Sequence, residues 1–270
     1  MKRQDYYRQF EHFQQNREKH FTKKILNALK IQYSEFLQSF KIGGPDALQS
    51  ITSAPIRNVL HELYLDSRHY GSLVYSQLPK APKTQKRRAP MGFNEEFIRM
   101  MNDYFESEIL TVCEGITKTT REIIQEVLTQ ATEEGRNLNW IENELTVESE
   151  DLTRNRARLI ARTETVTASN RASYLAAAKT GLKMKKEWLS AGDKRVRPDH
   201  QMVNGSKIDM EDFFTVGDSK LLLPGSRVQE NGLSSPASEV CNCRCVVLYI
   251  PVRINGVLVN FDYGLWPIAA

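Results

Sequence analysis

The side chains best suited to chemistry lie late in the chain. Cys243 and Cys245 flank Arg244, and both Asp193 and His200 precede them. In extended backbone, residues two apart face the same side, so a strand here presents both sulfurs to one point. His200 is expected in a polar loop, with Asp193 seven residues before it. Two thiolates, one imidazole and one carboxylate complete a tetrahedral zinc site. The same residues admit a metal-free reading, because free cysteine is among the most buried residue types and Cys-x-Cys without a second tight pair is not a zinc-finger spacing. A disulfide is the third reading, disfavoured because nothing in the sequence directs export to an oxidising compartment. Cys241 shares the strand parity but is set outside the ligand group.

Arginines surround this constellation. Arg195, Arg197 and Arg244 can pair with Asp193, with Glu164 or with a phosphate, since the guanidinium fork suits either oxyanion. An internal lock is the expected outcome. Further upstream, Arg154, Arg158 and Arg162 recur every four residues and fall on one helical stripe, open to DNA or to an acidic partner. A solvated face with local ion pairs accounts for them equally.

The formal net charge of +4 conceals an asymmetry. Residues 1–90 hold 16 Lys and Arg against 7 Asp and Glu, net +9, whereas residues 91–270 hold 21 against 26, net −5. A basic segment on a mildly acidic body points to a polyanionic contact, nucleic acid or an acidic protein surface. Lys83, Lys86, Arg87 and Arg88 concentrate that charge among Pro79, Pro82 and Pro90, which reads as an exposed linker.

The elements that must position these groups follow from periodicity. Phe10, Phe13, Phe21, Ile25, Leu29, Phe36 and Phe40 predict one long amphipathic helix from Asp5 to about Phe40, ended by Gly43, Gly44 and Pro45. A second helix is predicted over 56–75, and a third region starts at Asn94 as N-cap and runs to Gly135. Leu138, Trp140, Ile141 and Leu145 read as a short helix, and a long one follows over 152–180 with Gly181 just past its end. Beyond Gly181, short apolar segments at 183–189, 207–208, 221–223 and 246–250 alternate with turn residues and predict a small β-rich unit. Asn204-Gly205 and Asn255-Gly256 read as hairpin turns. The fold class is α+β: a long N-terminal helical region followed by a compact α+β module with a small antiparallel sheet.

Read in order, Arg162, Thr163 and Glu164, then Asn170, Trp188, Asp193, Arg195, Arg197, His200, Gly205, Phe213, Pro224-Gly225 and Asn242-Cys243-Arg244-Cys245 form one ordered set. This order resembles the phage Mu F-like minor head protein family, also called head morphogenesis proteins, over roughly residues 150–250. The resemblance implies a helical portal-docking region over 1–150 and the module over 151–255; composition places a Pro- and Lys-rich linker near 78–92, and a tail over 256–270 follows the module. It further implies a minor capsid component of a tailed bacteriophage. Its partners would be the portal, scaffold or major capsid protein and nonspecifically held DNA, and its place the virion head interior near the portal, after assembly in the host cytoplasm. No catalytic residue is needed for that role. A zinc-containing hydrolase or toxin-like effector carried in the virion is the alternative.

Enzyme signatures are otherwise sparse. The chain carries no G-x-S-x-G, no H-E-x-x-H and no phosphate-binding loop. Glu148-Ser149-Glu150 forms an E-x-E pair of the kind found in ADP-ribosyltransferases, but without the strand context such sites need. No run approaches the roughly 20 apolar residues that span a bilayer, and the first residues lack the apolar centre of a secretory signal, so neither membrane nor export is expected.

Overall fold

The structure, a computed structural model, describes residues 2–80, 93–148 and 150–261. Its helices are α1 (Arg3–Gly43), α2 (Ala54–Asp66), α3 (Arg68–Gln77), α4 (Phe93–Tyr104), α5 (Leu110–Glu133), α6 (Leu138–Asn143) and α7 (Glu150–Ala178). After α7 come β1 (Met184–Leu189), α8 (Pro198–Met202), β2 (Lys207–Asp209), β3 (Phe214–Val216), β4 (Ser219–Leu221), α9 (Ala237–Val240), β5 (Val246–Pro251), β6 (Arg253–Ile254) and β7 (Val257–Leu258). The α+β class expected from sequence is the class observed. No helix of the described residues is long and apolar enough to cross a membrane.

Two compact units divide the chain, one drawn from residues 18–62 and 105–161, the other from the described residues of 1–17, 63–104 and 162–270. The first unit is all helical. Tyr33, Phe36 and Leu37 of α1 meet Ile124, Leu128 and Ala131 of α5 and Ile141 of α6 in one apolar cluster. In the same unit the buried Gln32 amide donates to the Thr117 hydroxyl at 3.0 Å and accepts from the Thr120 hydroxyl at 3.0 Å. Both ends of the amide are thereby satisfied, as burial requires.

The second unit holds the sheet. β1 lies between β2 and β5, antiparallel to both, with Trp188 opposite Val247 and Lys186 opposite both Ile208 and Tyr249. Trp188 is fully buried, edge-on to Phe214 and to His200 at centroid distances of 5.2 and 5.4 Å. The first turns of α1 pack here as well: Tyr6 donates its hydroxyl to the Val247 carbonyl at 2.9 Å, and Tyr7 to the Arg244 carbonyl at 3.0 Å.

Several boundaries differ from the sequence expectation. The helix predicted over 56–75 is two helices broken at Ser67, whose hydroxyl turns back to the Tyr64 carbonyl at 2.5 Å. Between α4 and α5 the residues Phe105–Ile109 form one π turn, and Asn94 lies inside α4 rather than capping it. Asn255-Gly256 does turn β6 into β7, both residues at positive φ. Asn204-Gly205 instead joins α8 to β2. Gly205 has φ 85°, and its N–H donates to the Trp188 carbonyl at 2.7 Å, so this turn extends the β1 edge instead of closing a hairpin.

Candidate functional site

The site is built where α7, α8 and the chain entering β5 converge. Cys243 and Cys245 precede β5 rather than lying within it, because the backbone first turns through Asn242 at φ 58°. The run is nevertheless extended, and alternation survives: both cysteines are buried while the Arg244 side chain keeps partial exposure. All four cysteines are free. His200 sits on α8, not in a loop, and its ring is buried beneath Trp188.

His200, Cys243 and Cys245 offer three ligand atoms within 4.8 Å of one another. His200 Nδ1 stands 3.4 Å from Cys245 Sγ and 3.6 Å from Cys243 Sγ. The other ring nitrogen, Nε2, donates to Glu239 Oε2 on α9 at 3.0 Å. A carboxylate only accepts, so Nε2 carries a proton, and Nδ1 is the ring atom that faces the sulfurs. The Cys245 backbone N–H donates to Cys243 Sγ at 3.4 Å. The Cys245 thiol and the His200 ring hold the Cys243 thiol well below its ordinary range, while the Cys243 sulfur and burial push Cys245 up. Burial works against charging His200, but the Cys243 sulfur and Glu239 outweigh it and raise its pKa.

Asp193, grouped with these residues from sequence, is engaged elsewhere. Its two oxygens accept from both Arg244 terminal nitrogens at 2.7 and 2.6 Å, and the Arg195 backbone N–H adds a bond at 3.0 Å. The Arg244 fork holds the Asp193 carboxyl below the usual carboxylate range. Arg195 reaches the same carboxylate at 3.4 Å, and Arg197 donates to the Cys241 carbonyl. Cys241, half-buried, stays outside the thiol group.

The remaining motif residues tie α7 to this loop. Arg162 donates to Asn242 Oδ1 at 2.7 Å, and the Asn242 N–H donates to the Thr163 hydroxyl at 2.9 Å. Asn170 donates to the Cys245 and Pro224 carbonyls and accepts from the Val247 N–H. Glu164 is buried, accepting from the Tyr64 hydroxyl at 2.9 Å and from Arg227. Gly225 at φ 86° passes so close to Thr167 that a Cβ would meet its hydroxyl at 2.5 Å. Phe213 is half-buried, whereas its neighbour Phe214 fills the core under Trp188.

Of the arginine stripe on α7, Arg154 is exposed beside Asp151 at 3.7 Å and Arg158 lies 3.3 Å from Glu18. Lys83, Lys86, Arg87 and Arg88 lie outside the described residues, as do Ser149 and the side chains of Glu148 and Glu150. Sequence reasoning did not reach Glu239, Arg227 or Lys186. Glu239 stands four residues before Cys243, but one carboxylate in Ala-Ser-Glu-Val carries no pattern.

Residues 122–248 match the family model described as Phage Mu protein F like protein. That match begins within α5 and ends in β5. Among curated proteins, 97 residues are 32% identical to Minor head protein GP7 of Bacillus phage SPP1, covering 35% of this chain and 30% of that protein. Another 32% identity extends over 130 residues of the uncharacterized protein YqbB of Bacillus subtilis, 47% of this chain and 41% of the relative. A third, also at 32%, covers 94 residues of an Enterococcus faecalis protein named NAD(+)--arginine ADP-ribosyltransferase EFV, 34% of this chain and 18% of that one. The chain thus spans less than half the length of each of these relatives. No solved structure matches it.

Proposed function

We propose, from the match of residues 122–248 to the Phage Mu protein F like family, that this chain is a minor head protein of a tailed bacteriophage, bound beside the portal during head assembly and present when the genome leaves. The observation that carries this reading is the connected network in which Arg162, Thr163 and Asn170 of α7 grip the Asn242–Cys245 loop. These residues hold backbone and one another. They build a rigid knob, which is what a docking subunit requires.

In this reading the helical region over 1–150 supplies the portal-docking surface, the 151–255 module is the knob, and 256–270 is a tail. Lys83, Lys86, Arg87, Arg88, Arg154 and Arg158 are its candidate contacts to packaged DNA or to the portal. Those to DNA are to phosphate and are therefore nonspecific and strongly salt-dependent. Scaffold or major capsid protein are further partners, and the head interior near the portal is its place in the virion. The His200, Cys243 and Cys245 group serves as a zinc-binding anchor for the knob.

Catalysis is not part of the proposal. The polar groups around the thiols are committed to each other, Asp193 to Arg244 and Glu239 to His200. The transferase among the relatives shares 18% of its length with this chain, so its named activity is not carried over. The test is co-expression with the portal protein encoded by the same genome, followed by affinity capture of the tagged chain. Stoichiometric recovery of portal supports the proposal, and portal left entirely in the unbound fraction overturns it.

A further inference from the structure

From the geometry around His200 we infer that this chain supplies three metal ligands, His200 Nδ1, Cys243 Sγ and Cys245 Sγ. Glu239 orients the ring, and the fourth position is left to an anionic oxygen or nitrogen donor from outside the chain. This rests on the zinc reading above and specifies its ligand set.

The distances select a shared centre. Tetrahedral zinc, with bonds of roughly 2.3 Å to sulfur and 2.0–2.1 Å to nitrogen, sets the sulfur-to-nitrogen separation at about 3.6 Å. The two separations here are 3.4 and 3.6 Å. One imidazole lone pair can accept one S–H in line, but two sulfurs nearly equidistant from a single nitrogen is the arrangement a common metal imposes. The Cys245 N–H directed at Cys243 Sγ is a donor that stabilises a thiolate.

Glu239 belongs to the support and not to the ligand set. It contacts Nε2, the nitrogen on the far side of the ring from the sulfurs. A carboxylate in that place fixes the tautomer and ring angle and raises the basicity of the ligating nitrogen. Asp193 is removed from the set by its bidentate pairing with Arg244. Among the described residues, the cluster of metal-ligating side chains contains only the three named.

The fourth position has room and a preferred charge. A cavity of about 150 Å³ lies against His200, Cys243 and Cys245, and Arg195, Arg197 and Arg244 contribute to its wall. Two thiolates and a neutral imidazole leave a divalent zinc uncharged overall, so an incoming anion meets a wall that carries three arginines and, among the described residues lining it, no carboxylate.

The experiment uses the full chain reconstituted with zinc or cobalt(II), and azide as the anion probe. X-ray absorption at the zinc edge should return two sulfur and two light scatterers per metal. Cobalt(II) should give thiolate charge-transfer and tetrahedral d–d bands that shift on adding azide. Asp193→Asn should leave the thiolate bands unchanged, while Glu239→Gln should keep the band pattern and weaken metal affinity by about 10–100-fold. A chain that takes up no metal, a third sulfur, bands indifferent to azide, or loss of the centre in Asp193→Asn would each overturn the inference. Because the absorption measurement needs no variant, a Glu239→Gln chain that fails to fold does not obscure it. Portal capture is read separately, so a metal-free chain that still binds portal defeats this inference alone.

Discussion

Asn170 on α7 pairs with Val247 as a neighbouring strand would: its Oδ1 accepts the Val247 N–H at 3.1 Å while its Nδ2 donates to the Cys245 carbonyl, also at 3.1 Å. A helix side chain thereby closes the free edge of β5 at its first residues. Asn170→Ala strips partners from Cys245, Val247 and Pro224 in a dry environment. The expected cost is about 2–4 kcal/mol, read as a lower urea midpoint with unchanged slope. A loss under about 0.5 kcal/mol would show that the loop is held by other means.

Glu164 should behave as the hub of a buried ion pair. Burial opposes the charge on Arg227, but Glu164 outweighs that effect and raises the Arg227 pKa above its ordinary value. Removing the carboxylate with Glu164→Ala leaves that guanidinium uncompensated and should cost about 3–5 kcal/mol. Combining it with Arg227→Met should recover much of the loss, and a double-mutant cycle in chemical denaturation measures it. Strictly additive effects would contradict the pairing.

Two helical glycines should respond to alanine with opposite signs. At Gly71 of α3 a Cβ would stand 3.0 Å from the Ala172 carbonyl oxygen of α7, whereas at Gly115 of α5 it would meet nothing within 4 Å. Alanine is favoured over glycine in a helix by about 1 kcal/mol. Gly115→Ala should therefore raise the melting temperature, while Gly71→Ala should lower it because overpacking costs about 1–3 kcal/mol. Stabilisation by both would mean that α3 and α7 are not in close contact.

Lys186 makes stability depend on alkaline pH. It is buried against Tyr174 and Phe214, donating to the Leu222 carbonyl at 2.8 Å, and burial lowers its pKa to about 7 despite the opposing pull of Asp212 and Glu211. Below that value both folded and unfolded chains carry the proton. Between pH 7 and the unfolded value of about 10.4 the unfolded chain holds more protons, so this group's contribution to stability rises with pH. Wild type should gain roughly 1–3 kcal/mol relative to Lys186→Met between pH 7 and 9. Parallel pH profiles of the two proteins, from denaturant midpoints, would contradict it.

Helical order was legible because its signal repeats. Phe10, Phe21, Ile25, Leu29 and Phe36 are all buried, at the spacing that predicted α1. The break at Ser67 was not, since neither proline nor glycine marks it. Three-residue strands such as β3 are too short to show a period, and the tertiary setting around Trp188 forms them. At the site, residue type and order singled out His200, Cys243 and Cys245, which the fold brings together. Spacing could not tell whether Asp193 would face a metal or a guanidinium, because Arg244 lies 51 residues away and only the folded chain brings them into contact. Glu239 was illegible for the same reason.

The proposed place of this chain in the phage head can be checked by quantitative mass spectrometry of heads purified from the phage whose genome encodes it. A few copies per particle are expected, fixed in ratio to the portal and retained through density-gradient purification. Complete absence of the chain from assembled and assembling particles alike would contradict it.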